Sequence, residues 1–322
     1  MSARSTEFDL IQQYFSRPVV SAHLGVGDDA ALLQPALGHW LAVSTDTLVC
    51  GVHFLPDADA MGLGWKALAV NLSDLAAMGA TPRWTTLALT LPTVDHTWLA
   101  GFVEGFYQCA QQYGIELVGG DTTRGPLNIG VTVMGEVPVG AALRRDGAQC
   151  GDTVWVSGEL GDAALALAAL QGKLALSQID QAALFARLHT PTPRLALGQA
   201  LRGIATSAID VSDGLLADLG HILQRSGMGA TLNLPCIPMS DIAHTLMGQA
   251  LVTTAMMTGG DDYELCFTAP PNASAAINAI GIQLGLKLTA IGRIEAGSTL
   301  QVLDQHDQAM TLSKMGYAHF AA

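Results

Sequence analysis

Aspartates set among glycine, serine, threonine and asparagine recur at six places: Gly27-Asp28-Asp29, Ser44-Thr45-Asp46-Thr47, Asn71-Leu72-Ser73-Asp74, Gly119-Gly120-Asp121-Thr122-Thr123, Asp210-Val211-Ser212-Asp213-Gly214 and Gly259-Gly260-Asp261-Asp262-Tyr263-Glu264. Carboxylates and hydroxyls are the oxygen ligands Mg²⁺ takes, and Mg²⁺ is usually shared with substrate phosphates. The chain therefore reads first as a metal-dependent phosphate enzyme. Asp also favours turns and helix caps, so one motif alone carries little; all six together carry more.

Asp29, Asp46, Asp74 and Asp121 come from four separate segments of the first half. Asp46 and Asp121 follow predicted strands, where ligand-binding loops tend to sit. Asp74 lies three residues after Asn71 on one face of an apolar helical stretch, so its carboxylate needs an arginine, a backbone N–H or a cation as partner. Ser44 and Thr45 can add a hydroxyl and a backbone carbonyl. Asp210, Ser212 and Asp213 form a glycine-ended turn entering a helix, and Asp213 alone reads better as an N-cap. Arg124 and Arg145 are the nearest basic residues, each either a fork for a phosphate or a surface arginine. His53, just past the Asp46 segment, is a structural histidine on its own account. Tyr107 is a candidate for adenine. Trp84, Met256 and Tyr317 are candidates for an organic pocket, with core packing the better role for the first two.

The positioning elements follow from periodicity. Trp40 to Ser44 predicts a strand running into a Thr45-Asp46 turn. Trp65 to Met78 predicts a helix stopped at Gly79, and Leu99 to Tyr113 one stopped at Gly114. Strands are predicted at Trp84 to Leu91, Ile115 to Val118 and Asn128 to Val137. Pro138 to Gly151 reads as a boundary, giving domains 1–140 and 141–322. Beyond it, strands are predicted at Thr153 to Ser157, Ala205 to Ile209, Ala230 to Leu234, Leu265 to Thr268, Thr289 to Ile294 and Thr299 to Leu303. Helices are predicted at Asp162 to Leu170, Arg194 to Arg202, Leu215 to Ser226 and Ala273 to Leu284.

Composition narrows the function. The 322 residues are 50% hydrophobic, enough for two cores, and carry a formal charge of −13. That balance argues against nucleic-acid or anionic-membrane partners. With 15 Lys and Arg in all, metal ions would have to supply the positive charge that a phosphate site needs. The five cysteines are widely spaced with no Cys-x-x-Cys and read as small apolar residues in a reducing compartment. No stretch is long and apolar enough for a membrane span, and Met1 to Phe15 lacks a signal-peptide layout, so a cytoplasmic protein is expected. There is no P-loop and no kinase-type glycine loop. Gly25-Val26-Gly27 lacks the third glycine of a dinucleotide fingerprint. No Gly-x-Ser-x-Gly is present.

With these motifs in order, the chain resembles the thiamine-monophosphate kinases, in the superfamily of aminoimidazole ribonucleotide synthetase and selenophosphate synthetase. The long run Lys66-Ala67-Leu68-Ala69-Val70-Asn71-Leu72-Ser73-Asp74-Leu75-Ala76-Ala77-Met78-Gly79-Ala80 is the most specific match, and the likeness extends to Gly316-Tyr317-Ala318-His319-Phe320. The resemblance implies an α+β fold of two α/β domains and a homodimer formed through the N-terminal sheet. It implies ATP-dependent phosphorylation of thiamine monophosphate to thiamine diphosphate with several Mg²⁺. It carries metal binding to Asp29, Ser44, Thr45, Asp46, Asp74, Asp121, Asp210 and Asp213, with Asp46, Asp74 and Asp121 catalytic. ATP contacts fall on Gly120, Asp121, Arg145 and Ser212, and acceptor contacts on His53, Asp261 and Tyr317. One departure is Asp261, where the family usually has glutamate. The rivals are another ATP-using synthetase of the superfamily, or a non-catalytic module binding metal or nucleotide. A reactive N-terminal cysteine, expected of selenophosphate synthetase, is missing before Cys50. A calcium loop would gather its ligands within about a dozen residues.

Overall fold

The computed structural model describes residues 6–311 and 316–317, so Ala318-His319-Phe320 of the terminal match lie outside the described residues. The chain divides into two compact units. One holds the chain up to Leu75 with Ala80–Gly140; the other holds Ala76–Gly79 and the chain from Ala141 onward.

In the first unit the short helix α1 (Glu7–Leu10) precedes β1 (His39–Val49), α2 (Ala60–Ala77), β2 (Thr81–Leu91), α3 (His96–Tyr113), β3 (Glu116–Arg124) and β4 (Asn128–Pro138). The strands form a sheet in the order β1-β4-β2-β3, antiparallel except for the β2–β3 pair. Helix α2 contributes Leu68, Leu72 and Leu75 to the core, each almost fully buried, and α3 contributes Leu99, Phe102 and Phe106. Trp84 is buried in the same core, as packing rather than pocket.

Two expectations are corrected here. Thr45-Asp46 is not a turn, and Gly119-Gly120-Asp121 is not a loop after a strand: both lie inside strands. Strand β1 pairs with β4 without interruption from His39 to Val49. As an edge strand it leaves alternate N–H groups without a ladder partner, and a side chain satisfies the one at Asp46: Asn71 Oδ1 accepts it at 2.9 Å. Gly120 has φ 152, and a Cβ there would lie 1.9 Å from the Leu87 carbonyl oxygen, so only glycine lets β3 lie this close to β2.

In the second unit β5 (Thr153–Ser157), α4 (Asp162–Leu170), α5 (Gln178–His189), α6 (Leu195–Ala200), β6 (Ser207–Asp210), α7 (Leu215–Ser226), β7 (Gly229–Asn233), α8 (Asp241–Thr245), α9 (Ala250–Thr258), β8 (Leu265–Ala269), α10 (Ser274–Leu284), β9 (Leu288–Glu295) and β10 (Leu300–Leu303) follow in order. The sheet order is β10-β7-β9-β5-β8-β6. Val154, Val156, Cys266, Ile291 and Ile294 from the strands meet Leu165, Leu216, Leu219, Val252 and Met256 from the helices in one core. Met256 is thus core, like Trp84. Strands β6 and β8 are antiparallel neighbours, with Asp210 opposite Leu265. That one pairing puts the end of one acidic motif beside the end of another.

Candidate functional site

In the first unit the acidic positions are organised by β1 and α2. Ser44 Oγ donates to Asp74 Oδ2 at 2.5 Å, and Asn71 holds the Asp46 N–H. Asn71 also donates to the Ala67 carbonyl at 3.0 Å, which locks its amide orientation. Spacing of three on α2 therefore does what the sequence implied: Asn71 and Asp74 face the same strand. The Ser44 hydroxyl is one partner of the Asp74 carboxylate.

Thr45 points the other way, its hydroxyl bonded to Thr132 Oγ1 at 2.8 Å. Asp121 also departs from the Asp46 face. Asp46 opposes the buried Val131, which opposes Leu87; Asp121 opposes Ala88, the exposed neighbour of Leu87. Side chains alternate along a strand, so Asp46 and Asp121 leave opposite faces of the sheet. Asp29 is exposed in a loop where its N–H is taken by Asp28 Oδ1 at 2.8 Å. His53 Nδ1 accepts the Val49 N–H at 2.9 Å, so in a neutral ring Nε2 carries the proton. A small pocket, with a cavity volume of about 40 Å³, is lined by Ile11, Phe15, Val26, Leu87, Leu117 and Gly119 to Thr122. Tyr107 serves the N-terminal segment: its hydroxyl donates to the Phe15 carbonyl at 2.9 Å, and Arg17 lies 3.4 Å over its ring. Burial pushes that phenol up to about 12, with Arg17 opposing.

The second unit brings together three segments remote in sequence. Past the β6–β8 ladder, Val211 N–H donates to the Glu264 carbonyl (2.8 Å), Tyr263 N–H to Val211 (2.8 Å) and Asp261 N–H to Ser212 (2.9 Å). Tyr317 N–H donates to the Asp213 carbonyl at 3.0 Å. The Asp210 motif, the Asp261 motif and Tyr317 thus form one surface. Gly260 permits the close approach, since a Cβ there would lie 2.5 Å from the Ser212 carbonyl oxygen. Arg145 is exposed, with its carbonyl accepting from Ser226 Oγ. Arg124 is also exposed.

Asp213 is not an N-cap. Gly214 occupies that position with no side-chain cap, and Asp218, in the first turn of α7, accepts the Ser212 and Asp213 N–H groups at 3.0 Å each. Asp218 was invisible as a site residue, although an acid in the first turn after a glycine is a recognisable N-terminal signal. Burial pushes its carboxyl up to about 7, with these N–H groups pulling down and the Asp213 charge adding to the rise.

Sequence reading also missed Arg187, Arg194 and Ser157, which hold the second acidic loop through Glu264. Glu264, 1% exposed, accepts from Arg187 (3.0 Å), from Arg194 through Nε (2.6 Å) and its terminal nitrogen, and from Ser157 Oγ (2.6 Å). Asp262 accepts the Gly161 N–H through both oxygens. The residue is half-buried with its carboxyl group turned inward, and burial holds that group well above the usual carboxylate range against the Gly161 N–H.

The donors at these positions are all oxygen: carboxylates, hydroxyls and carbonyls, the hard set that suits Mg²⁺. Among the described residues no three His, Cys, Asp or Glu side chains converge within metal-sharing distance. One or two carboxylates per ion, completed by water and substrate phosphate, is the usual arrangement for Mg²⁺, so the residues fit that ion.

Residues 27–137 match the family described as AIR synthase related protein, N-terminal domain, and residues 149–305 its C-terminal domain. The chain is 49% identical to the thiamine-monophosphate kinase of Salmonella typhimurium over 98% of both chains. It is similar to the crystal structure of thiamine-monophosphate kinase from Stenotrophomonas maltophilia, with a TM-score of 0.83 and 52% identity over 88% of this chain and 91% of that one. It is also similar to AaThiL complexed with AMPPCP and TMP, with a TM-score of 0.77 and 31% identity over 89% of each.

Proposed function

We infer that this chain, which belongs to the AIR synthase related family and within it to the thiamine-monophosphate kinases, transfers the γ-phosphoryl group of ATP to the phosphate of thiamine monophosphate, giving thiamine diphosphate and ADP. The observation that carries this reading is the near full-length identity to proteins of that activity. The complex of AaThiL with AMPPCP and TMP supports the pairing of an ATP analogue with this acceptor.

The residue roles are part of the proposal. Asp29, Ser44, Thr45, Asp46, Asp74 and Asp121 in the first unit, and Asp210 and Asp213 in the second, would hold Mg²⁺. Bound there, Mg²⁺ would supply the positive charge that lets two polyanions approach. Asp46, Asp74 and Asp121 are the carboxylates on which turnover depends. Gly120, Asp121, Arg145 and Ser212 would contact ATP. His53, Asp261 and Tyr317 would contact the acceptor. Supporting the last assignment, the Tyr317 and Asp261 backbones are both tied to residues 212–213.

The chemistry asks little of the side chains. The acceptor phosphate has a second pKa near ~6 and is a charged nucleophile at neutral pH, so no general base is required. What remains is positioning for an in-line transfer.

The protein would act as a cytoplasmic homodimer. No helix of the described residues is long and apolar enough to cross a membrane. Supporting the dimer, Leu41 and Val43 of edge strand β1 are exposed, on the face opposite Ser44 and Asp46. The decisive experiment incubates the chain with thiamine monophosphate, ATP and Mg²⁺ and follows ADP and thiamine diphosphate together. Both should form in equal amounts. ADP release with a different acceptor only, or none with any acceptor, would overturn the assignment.

A further inference from the structure

Asp261 and Tyr263 are unusual in the second acidic loop because both have left-handed backbone, at φ 70 and φ 50, and neither is glycine. Such residues persist only where their surroundings over-determine them. Here the Asp261 N–H is fixed on Ser212, the Tyr263 N–H on Val211, and the following residue, Glu264, by two arginines and Ser157. The Tyr263 ring is buried, at 8% exposure, and its hydroxyl donates to Asp261 Oδ1 at 2.9 Å. A buried ring on a pinned backbone is a fixed point, and the half-buried Asp261 carboxylate is tethered to it.

We propose that Tyr263 is a positioning residue that aims the Asp261 carboxylate at the acceptor substrate. The inference rests on the reading above, in which Asp261 meets that substrate. A carboxylate would be repelled by the acceptor's phosphate and complements its cationic thiazolium and its aminopyrimidine, so Tyr263 acts on recognition of the organic part. Its effect belongs in the KM for thiamine monophosphate, not in the transfer step or in ATP binding.

The test is a double-mutant cycle between Tyr263→Phe and Asp261→Gly. Phenylalanine keeps the buried ring and removes only the hydroxyl. Glycine accepts φ 70 without strain and removes the side chain, carboxylate included. In the otherwise wild-type chain, Tyr263→Phe should raise the KM for thiamine monophosphate about tenfold, the scale of a lost hydrogen bond to a charged group. The kcat, the KM for ATP and the thermal unfolding midpoint should stay close to wild type. In the Asp261→Gly background the same change should add nothing. An unchanged KM overturns the proposal, as does an equal rise in both backgrounds or a parallel rise in the KM for ATP. Wild-type chain without turnover of thiamine monophosphate in this assay would instead overturn the substrate assignment, and the role of Tyr263 with it.

Discussion

Replacing Glu264 by alanine should cost the second unit about 3 kcal/mol. The carboxylate is 1% exposed and gathers Arg194, Arg187 and Ser157. Breaking a buried charge pair from one side costs roughly 3–5 kcal/mol, because the remaining charge stays desolvated. The two arginines do not count equally. The Arg194 side chain is 15% exposed and loses its bidentate partner; Arg187, at 33%, is rehydrated and contributes little. That places the expectation at the lower end. Glu264→Gln keeps the shape and part of the hydrogen bonding, and should cost about 1–2 kcal/mol. Trp155 provides the signal: it is the one tryptophan beyond residue 140 and stacks on Phe267 of the neighbouring strand at 6.3 Å. In a chain whose other four tryptophans are replaced by phenylalanine, its fluorescence in a urea titration reports the second unit, which matters because a two-unit chain need not unfold in one step. With a slope of about 2–3 kcal/mol/M, the alanine variant should unfold at a midpoint about 1 M lower. A midpoint within roughly 0.2 M of wild type for both variants would show that this network does not hold the acidic loop.

Three further outcomes are expected. Asp74→Asn keeps an acceptor for Ser44 and should leave far-UV circular dichroism unchanged while lowering kcat by about 100-fold or more; a wild-type rate would end the role given to Asp74. Gly260→Ala drives a Cβ to 2.5 Å from the Ser212 carbonyl, so the two acidic loops must part, and the KM for thiamine monophosphate should rise sharply while fluorescence of the folded chain is kept. Asp162 is buried, which raises its carboxyl above the ordinary value, with the Ser240 hydroxyl and Arg187 opposing. The folded chain then holds a proton that the unfolded chain releases, so this group's contribution falls as pH rises from near 4 through the folded value. The stability of Asp162→Asn relative to wild type should accordingly grow with pH across that window and level off above it; a difference independent of pH in urea titrations would contradict this.

Much of the molecule was legible in one dimension because its local signals agree. The Leu215–Ser226 and Asp162–Leu170 helices and the Thr153–Ser157 strand lie where periodicity and flanking glycines put them. Helix α9 was not legible: it carries no charged residue, and its polar positions are only Thr253, Thr254 and Thr258, so the contrast between its faces is weak. The family and its chemistry were legible in the order of six short motifs, and the shared face of Asn71 and Asp74 followed from a spacing of three.

Facing and adjacency lay beyond that reach, since they depend on which strands pair across long separations. Register sends Asp46 and Asp121 to opposite faces, although both looked like loop residues after strands. The antiparallel β6–β8 pair, joining residues 207–210 to 265–268, is what lays the Asp210 motif along the Asp261 motif. Asp218, Arg187 and Arg194 acquire their roles only from that arrangement. A carboxylate's partner in a buried network is chosen by three-dimensional proximity and desolvation, which no local pattern of residues records.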